Sequence, residues 1–147
     1  MRTKQLALCI ILGILASSAW SQSNKPLIPG EIPTLRPAGF KPVYRITDSA
    51  AVKRGKQRFN DASLSTNGRS CGSCHEDVQS FGPRFRTPYP HAAMNSKARL
   101  GADTLQLDEV VQVCMQGPMR NTPFEWGSPE QVDLTTYLLK VQSTGKM

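Results

Sequence analysis

Two thiols separated by two residues and followed at once by an imidazole, Cys71-Gly72-Ser73-Cys74-His75, restrict this chain more than any other run in it. What such a run does depends on the compartment. Residues 1 to about 21 read as a secretory signal: Arg2 and Lys4 form a charged start, Leu6 to Ala16 an apolar core, and Ser17 to Ser21 a small-residue stretch with cleavage expected near Ala19 or Ser21. The apolar run is shorter than the roughly 20 residues of a membrane span. Cys9 follows Leu8 and comes too early for a lipoprotein anchor. Export to a bacterial periplasm is therefore expected. Loss of the signal removes Cys9 and leaves Cys71, Cys74 and Cys114, an odd number of thiols for an oxidising compartment.

The pattern C-x-x-C-H in an exported chain is that of covalent haem attachment. Both thiols form thioethers with the haem vinyl groups, and the adjacent imidazole is the proximal iron ligand. Two rivals use the same residue types. A thioredoxin-like pair should follow a buried strand at a helix N-terminus, whereas Leu64-Ser65-Thr66-Asn67-Gly68-Arg69-Ser70 is a polar loop. A zinc site built from Cys71, Cys74, His91 and Cys114 would lack a second short-spaced ligand pair and leave His75 without a role. One haem c, held by Cys71, Cys74 and His75, is the expected cofactor.

With 147 residues the chain has room for one small domain after the signal, not for a two-domain enzyme. Its formal charge of +7 falls to +5 without Arg2 and Lys4. The remaining basic residues are scattered, so acidic partners fit and a nucleic-acid module does not. Ser/His/Asp constellations, phosphate loops and repeats are not apparent.

Residues 22–46 contain Pro26, Pro29, Pro33, Pro37 and Pro42 and should form an extended arm that wraps or tethers a domain spanning 47–143. A first helix is predicted from about Asp48 to Phe59, with Ala51, Val52, Gly55 and Phe59 on one side. Gly55 costs roughly 1 kcal/mol there relative to Ala, so close packing should require it. A last helix opens at Ser128-Pro129-Glu130-Gln131, where Gln131 is placed to close a capping box, and carries Leu134, Tyr137, Leu138 and Val141. Between them Thr104 to Gln116 repeats Leu107, Val110, Val111 and Cys114 at helical spacing, turning Cys114 inward, before Gly117-Pro118 presents Met119 from a loop. Cys114 is readable as a buried inert thiol or as a ligand reaching the iron.

Two crossing helices with an attachment loop after the first resemble a class I cytochrome c, an all-α fold packed around one haem. Arg54-Gly55-Lys56-Gln57-Arg58-Phe59 through Cys71-Gly72-Ser73-Cys74-His75 resembles the haem loop of dihaem cytochrome c peroxidase and MauG-type proteins. Tyr89-Pro90-His91, Leu107 to Met119, Phe124-Glu125-Trp126 and Leu134-Thr135-Thr136-Tyr137-Leu138 resemble a haem domain of SoxA and thiosulfate dehydrogenase. That resemblance covers about Val52 to Val141. It implies Cys114, 39 residues after His75, as the preferred distal iron ligand, and Met119, 44 residues after it, as the alternative. His91 and Met94 rank below both.

The resembling proteins couple a catalytic haem to further haems, and this chain has a single C-x-x-C-H. The expected function is therefore a periplasmic monohaem cytochrome passing single electrons between redox partners, within sulfur-compound oxidation. The alternative is a haem subunit of an enzyme oxidising thiosulfate or a related sulfur anion through Cys114, with Arg84, Arg86 or Arg120 attracting the anion. A sensor or structural haem protein is a third reading that nothing in the sequence selects.

Overall fold

Asp48 starts the first helix by accepting hydrogen bonds from the backbone amides of Ala50 and Ala51 at 2.9 and 3.1 Å. In the computed structural model, which describes residues 35–93 and 100–147, this helix, α1, runs Ser49–Phe59. Helix α2 covers Leu107–Gln116 and α3 covers Pro129–Thr144. Between α1 and α2 the chain makes short 3-10 turns at Ala62–Leu64, Cys71–Ser73, Gln79–Phe81 and Pro83–Arg86. Strands β1, His91–Ala92, and β2, Thr104–Leu105, pair antiparallel with His91 opposite Leu105. None of the described helices is long and apolar enough to cross a membrane.

The α1/α3 crossing organises the domain. A Cβ on Gly55 would lie 2.1 Å from the Asp133 carbonyl oxygen and 2.6 Å from Tyr137 Cβ, so only glycine permits this approach. Phe59, Leu134, Tyr137, Leu138 and Val141 form the buried seam, which continues into Leu107 and Val111 of α2 and Phe85. Arg54 clasps the buried Asp133 carboxylate through Nε and Nη2 at 2.7 and 2.9 Å.

Two details differ from the sequence expectations. Helix α2 begins at Leu107 rather than Thr104, because Thr104–Leu105 spend their backbone groups on β1 and the Gln106 amide is capped by Glu109 at 2.7 Å. The Gln131 side chain accepts from the Gly127 amide at 3.1 Å, one residue before the cap, while Ser128 caps the Gln131 amide. Helix α2 also buries its polar side: Asp108 and Gln112 are fully buried, Asp108 bonded to Arg36 and Tyr44, and Gln112 to the backbone N and O of Phe124.

Residues 35–46 form no helix or strand and lie across α2 and α3, with Tyr44 bonded to Asp108 and Gln131, and Phe40 edge-on to Trp126 at 5.2 Å. The expected signal, residues 22–34 of the expected arm, and Met94 lie outside the described residues.

Candidate functional site

The C-x-x-C-H run is folded as a tight turn docked on the end of α1. Ser70 and Ser73 exchange hydrogen bonds, the Ser70 amide donating to Ser73 Oγ at 2.9 Å and the Ser73 amide to Ser70 Oγ at 3.2 Å. The amides of Cys74 and His75 both donate to the Cys71 carbonyl, at 3.2 and 3.0 Å. Gly72 is the contact point: a Cβ there would sit 2.7 Å from Asn60 Oδ1 and 3.4 Å from Phe59 Cε1. The turn is preceded by bends rather than a buried strand, unlike a thioredoxin-like site.

This docking turns Cys71, Cys74 and His75 into a cavity of about 300 Å³ whose wall is mainly apolar and includes Phe59, Leu107, Val110, Val111, Leu134 and Leu138. The His75 ring stacks on Phe81, centroids 4.1 Å apart and 1° from parallel, and Phe81 stacks in turn on Phe85 at 4.1 Å. Burial lowers the His75 pKa, with the Ser80 backbone opposing the shift. Its Nδ1 is buried with no hydrogen bond of good geometry.

Cys114 from α2 and Met119 from the loop after it line the same cavity, so both distal candidates reach it. Met119 is 3% exposed. Burial, and then Cys74, push the Cys114 thiol up to about 11; burial, and then Cys114, do the same to Cys71. Cys71, Cys74 and Cys114 are all free.

His91 is elsewhere. It stacks on Tyr89 at 3.7 Å, its Nε2 meets Thr87 Oγ1 and the Thr87 carbonyl at 3.0 Å each, and it lines a second cavity of about 310 Å³ with Arg84 and Val113. The two cavities share Phe81, Phe85, Tyr89 and Val110. Among the described residues no three His, Cys, Asp or Glu side chains are grouped to hold a metal ion, so the four-ligand zinc arrangement is not formed. Of the three arginines, Arg86 packs against Gly145 and Arg120 follows Met119 with φ of 53°; Arg84 alone lines either cavity.

The sequence reading missed Phe81, Tyr89 and Gly72. They sit in turns, where no periodicity singles out one aromatic or glycine from another; the run of Phe81, Phe85 and Tyr89 soon after His75 was the available signal for the two rings.

An apolar cavity lined by three thiols, an imidazole and the thioethers of Met115 and Met119 suits an amphiphilic macrocycle carrying iron, and it is unsuited to a hydrated ion. Comparison with known proteins agrees. Residues 54–147 match the family described as SoxA/TsdA, cytochrome c domain, and the chain belongs to that family. It is also 33% identical over 95 residues to the L-cysteine S-thiosulfotransferase subunit SoxA of Pseudaminobacter salicylatoxidans, a match covering 65% of this chain and 31% of that protein. The chain thus spans about a third of this relative. No solved structure matches. A cytochrome c domain carries covalently bound haem c, and the donor set described above fits it.

Proposed function

We propose that this chain is an exported cytochrome with a single haem c, which passes single electrons between redox partners in the oxidation of sulfur compounds. The observation that carries the reading is the meeting of Cys71, Cys74 and His75 with Cys114 and Met119 around one apolar cavity. Haem c, when bound, supplies a one-electron ferric/ferrous couple. Cys71 and Cys74 are the attachment thiols, and His75, oriented by Phe81, is the proximal ligand. Cys114 is the preferred distal ligand and Met119 the alternative. The apolar wall excludes water, which stabilises the less charged state and limits reorganisation. Residues 1–21 are the signal, residues 22–46 the arm, and residues 47–143 the haem domain, placed in the periplasm.

Cys114 in the cavity favours a second reading, a haem subunit acting on thiosulfate or a related sulfur anion; the relative named as a thiosulfotransferase subunit points the same way. Electron counting ranks it second. Joining two thiosulfates releases two electrons, and one ferric/ferrous couple accepts one.

The test is expression with a cytochrome c maturation system. Haem should resist acid-acetone extraction and give one pyridine haemochrome equivalent per chain; extractable haem, or bound zinc, refutes the reading. The purified protein should turn over thiosulfate slowly with a poor acceptor, yet exchange electrons readily with a partner cytochrome, less so as salt rises. Fast thiosulfate-dependent turnover that is lost in Cys114→Ala would reverse the order of the two readings.

A further inference from the structure

The loop carrying Met119 is tied to the segment just before the attachment turn by four hydrogen bonds. Thr66 Oγ1 donates to the Arg120 carbonyl at 2.6 Å and the Thr66 amide to the Met119 carbonyl at 3.2 Å. Asn67 Nδ2 donates to the Pro118 carbonyl at 2.9 Å, and Asn121 Nδ2 returns to the Leu64 carbonyl at 3.0 Å. The loop itself folds back on α2, with the Met119 amide on the Cys114 carbonyl and the Asn121 amide on the Met115 carbonyl, both at 2.9 Å. Arg120 holds a left-handed backbone, φ 53°, an uncommon state for a non-glycine residue that surrounding contacts must sustain.

Pro118 is exposed on its outer side and lines the cavity on its inner side. Pro118 and Met119 are therefore the part of this loop that walls the cavity, and Thr66 and Asn67 fasten the loop from the attachment side. We infer that Thr66 and Asn67 are positioning residues that keep the Pro118–Asn121 loop shut over the distal face, so that this clamp sets how readily a small ligand reaches the iron. The inference rests on the haem reading above. It holds whether Cys114 or Met119 is the ligand, because the wall must move in either case for an external molecule to enter.

Thr66→Val removes the hydroxyl donor at constant shape, and Asn67→Asp removes the amide donor while keeping the oxygen that accepts from the Arg69 amide at 3.3 Å. The probe is imidazole binding to the ferric haem-loaded protein by stopped flow, where the rate at saturating imidazole reports opening of the wall. Losing both donors should raise that limiting rate roughly tenfold, each single variant should raise it less, and Thr66→Ser should keep the wild-type rate. Haem content and the ferric spectrum without imidazole should stay near wild type, which separates a positioning role from general loss of structure. Should the double variant not fold, the two single variants carry the test. Wild-type rates in haem-loaded variants overturn the clamp and leave the haem reading intact. Absence of covalent haem in the wild type overturns both.

Discussion

Gly55 meets the backbone of Asp133 at a distance that leaves no room for a methyl group, 2.1 Å from a built Cβ to the carbonyl oxygen. The neighbour in the way is helix backbone, fixed by its own hydrogen bonds and by the Arg54 clasp on the Asp133 side chain, so it cannot yield as a flexible side chain would. Gly55→Ala should therefore destabilise the domain by roughly 1–3 kcal/mol, as overpacking does, despite the roughly 1 kcal/mol that alanine gains in helix propensity. Denaturant unfolding of the haem-loaded protein measures this. A variant as stable as the wild type would mean that α1 and α3 cross at a greater distance.

Tyr44 and Arg36 share one buried acceptor. Tyr44 donates to Asp108 at 2.6 Å, while Arg36 Nε meets both Asp108 oxygens at 2.9 and 3.0 Å. Asp108 is fully buried, so Arg36→Met leaves a carboxylate with too few partners. The Arg36 side chain is 28% exposed, which puts the cost toward the lower side of the roughly 3–5 kcal/mol seen for broken buried pairs. Unfolding of Arg36→Met against wild type at neutral pH reads this cost directly.

The same acceptor creates a pH dependence. Burial, and then the hydrogen bond to Asp108, hold the Tyr44 hydroxyl well above its ordinary pKa. A raised pKa means that the fold favours the protonated phenol. Its contribution is complete below the unfolded value of about 10 and is lost as pH rises from there toward the folded value. Stability of the wild type should fall more steeply above pH ~10 than that of Tyr44→Phe. Parallel stability curves would show that Tyr44 does not titrate with unfolding.

The helix-spacing signals carried far in this chain. Asp48, Ser128 and the apolar stripes predicted α1 and α3, and Gly55 pointed to their crossing, because caps and periodicity are local rules. Helix α2 was legible only on its apolar side. Nothing in its spacing marks Asp108 and Gln112 as buried, since their partners, Arg36, Tyr44 and the Phe124 backbone, are brought there only by the tertiary fold. The start at Leu107 was missed for the same reason, as a two-residue strand pairing across a separate segment has no spacing of its own. Within the candidate site, the C-x-x-C-H run and the inward face of Cys114 were readable. The Phe81 platform and the Thr66/Asn67 clamp were not, because both join turns distant in sequence or lacking any period.

Among the described residues Phe81 is the one ring stacked directly on His75. A stacked aromatic pair contributes about 0.5–1.5 kcal/mol beyond its buried area, and here it also fixes the plane of a ring whose Nδ1 has no hydrogen bond of good geometry. Phe81→Leu should keep covalent attachment, which needs only Cys71 and Cys74, while broadening the ferric paramagnetic resonance signals as the imidazole samples several orientations. A signal as sharp as that of the wild type would assign ring orientation to the cavity wall instead.

Cys114 and Met119 line one cavity, and the choice between them sets the electronic character of the site. A thiolate donates more electron density to ferric iron than a thioether does, so His/Cys ligation should lower the potential relative to His/Met. As a free thiol Cys114 is held neutral, its pKa pushed up to about 11 chiefly by burial; coordination to a cation would remove that proton outright. Electron paramagnetic resonance and magnetic circular dichroism on wild type, Cys114→Ala and Met119→Ala separate the cases. With Cys114 as ligand, Cys114→Ala should lose the thiolate signature and raise the potential, while Met119→Ala leaves the ferric spectrum unchanged. The reverse pattern, an open site in Met119→Ala and an unchanged Cys114→Ala, would make Met119 the ligand. It would also remove the main support for sulfur-anion chemistry at Cys114, leaving the chain as an electron carrier alone.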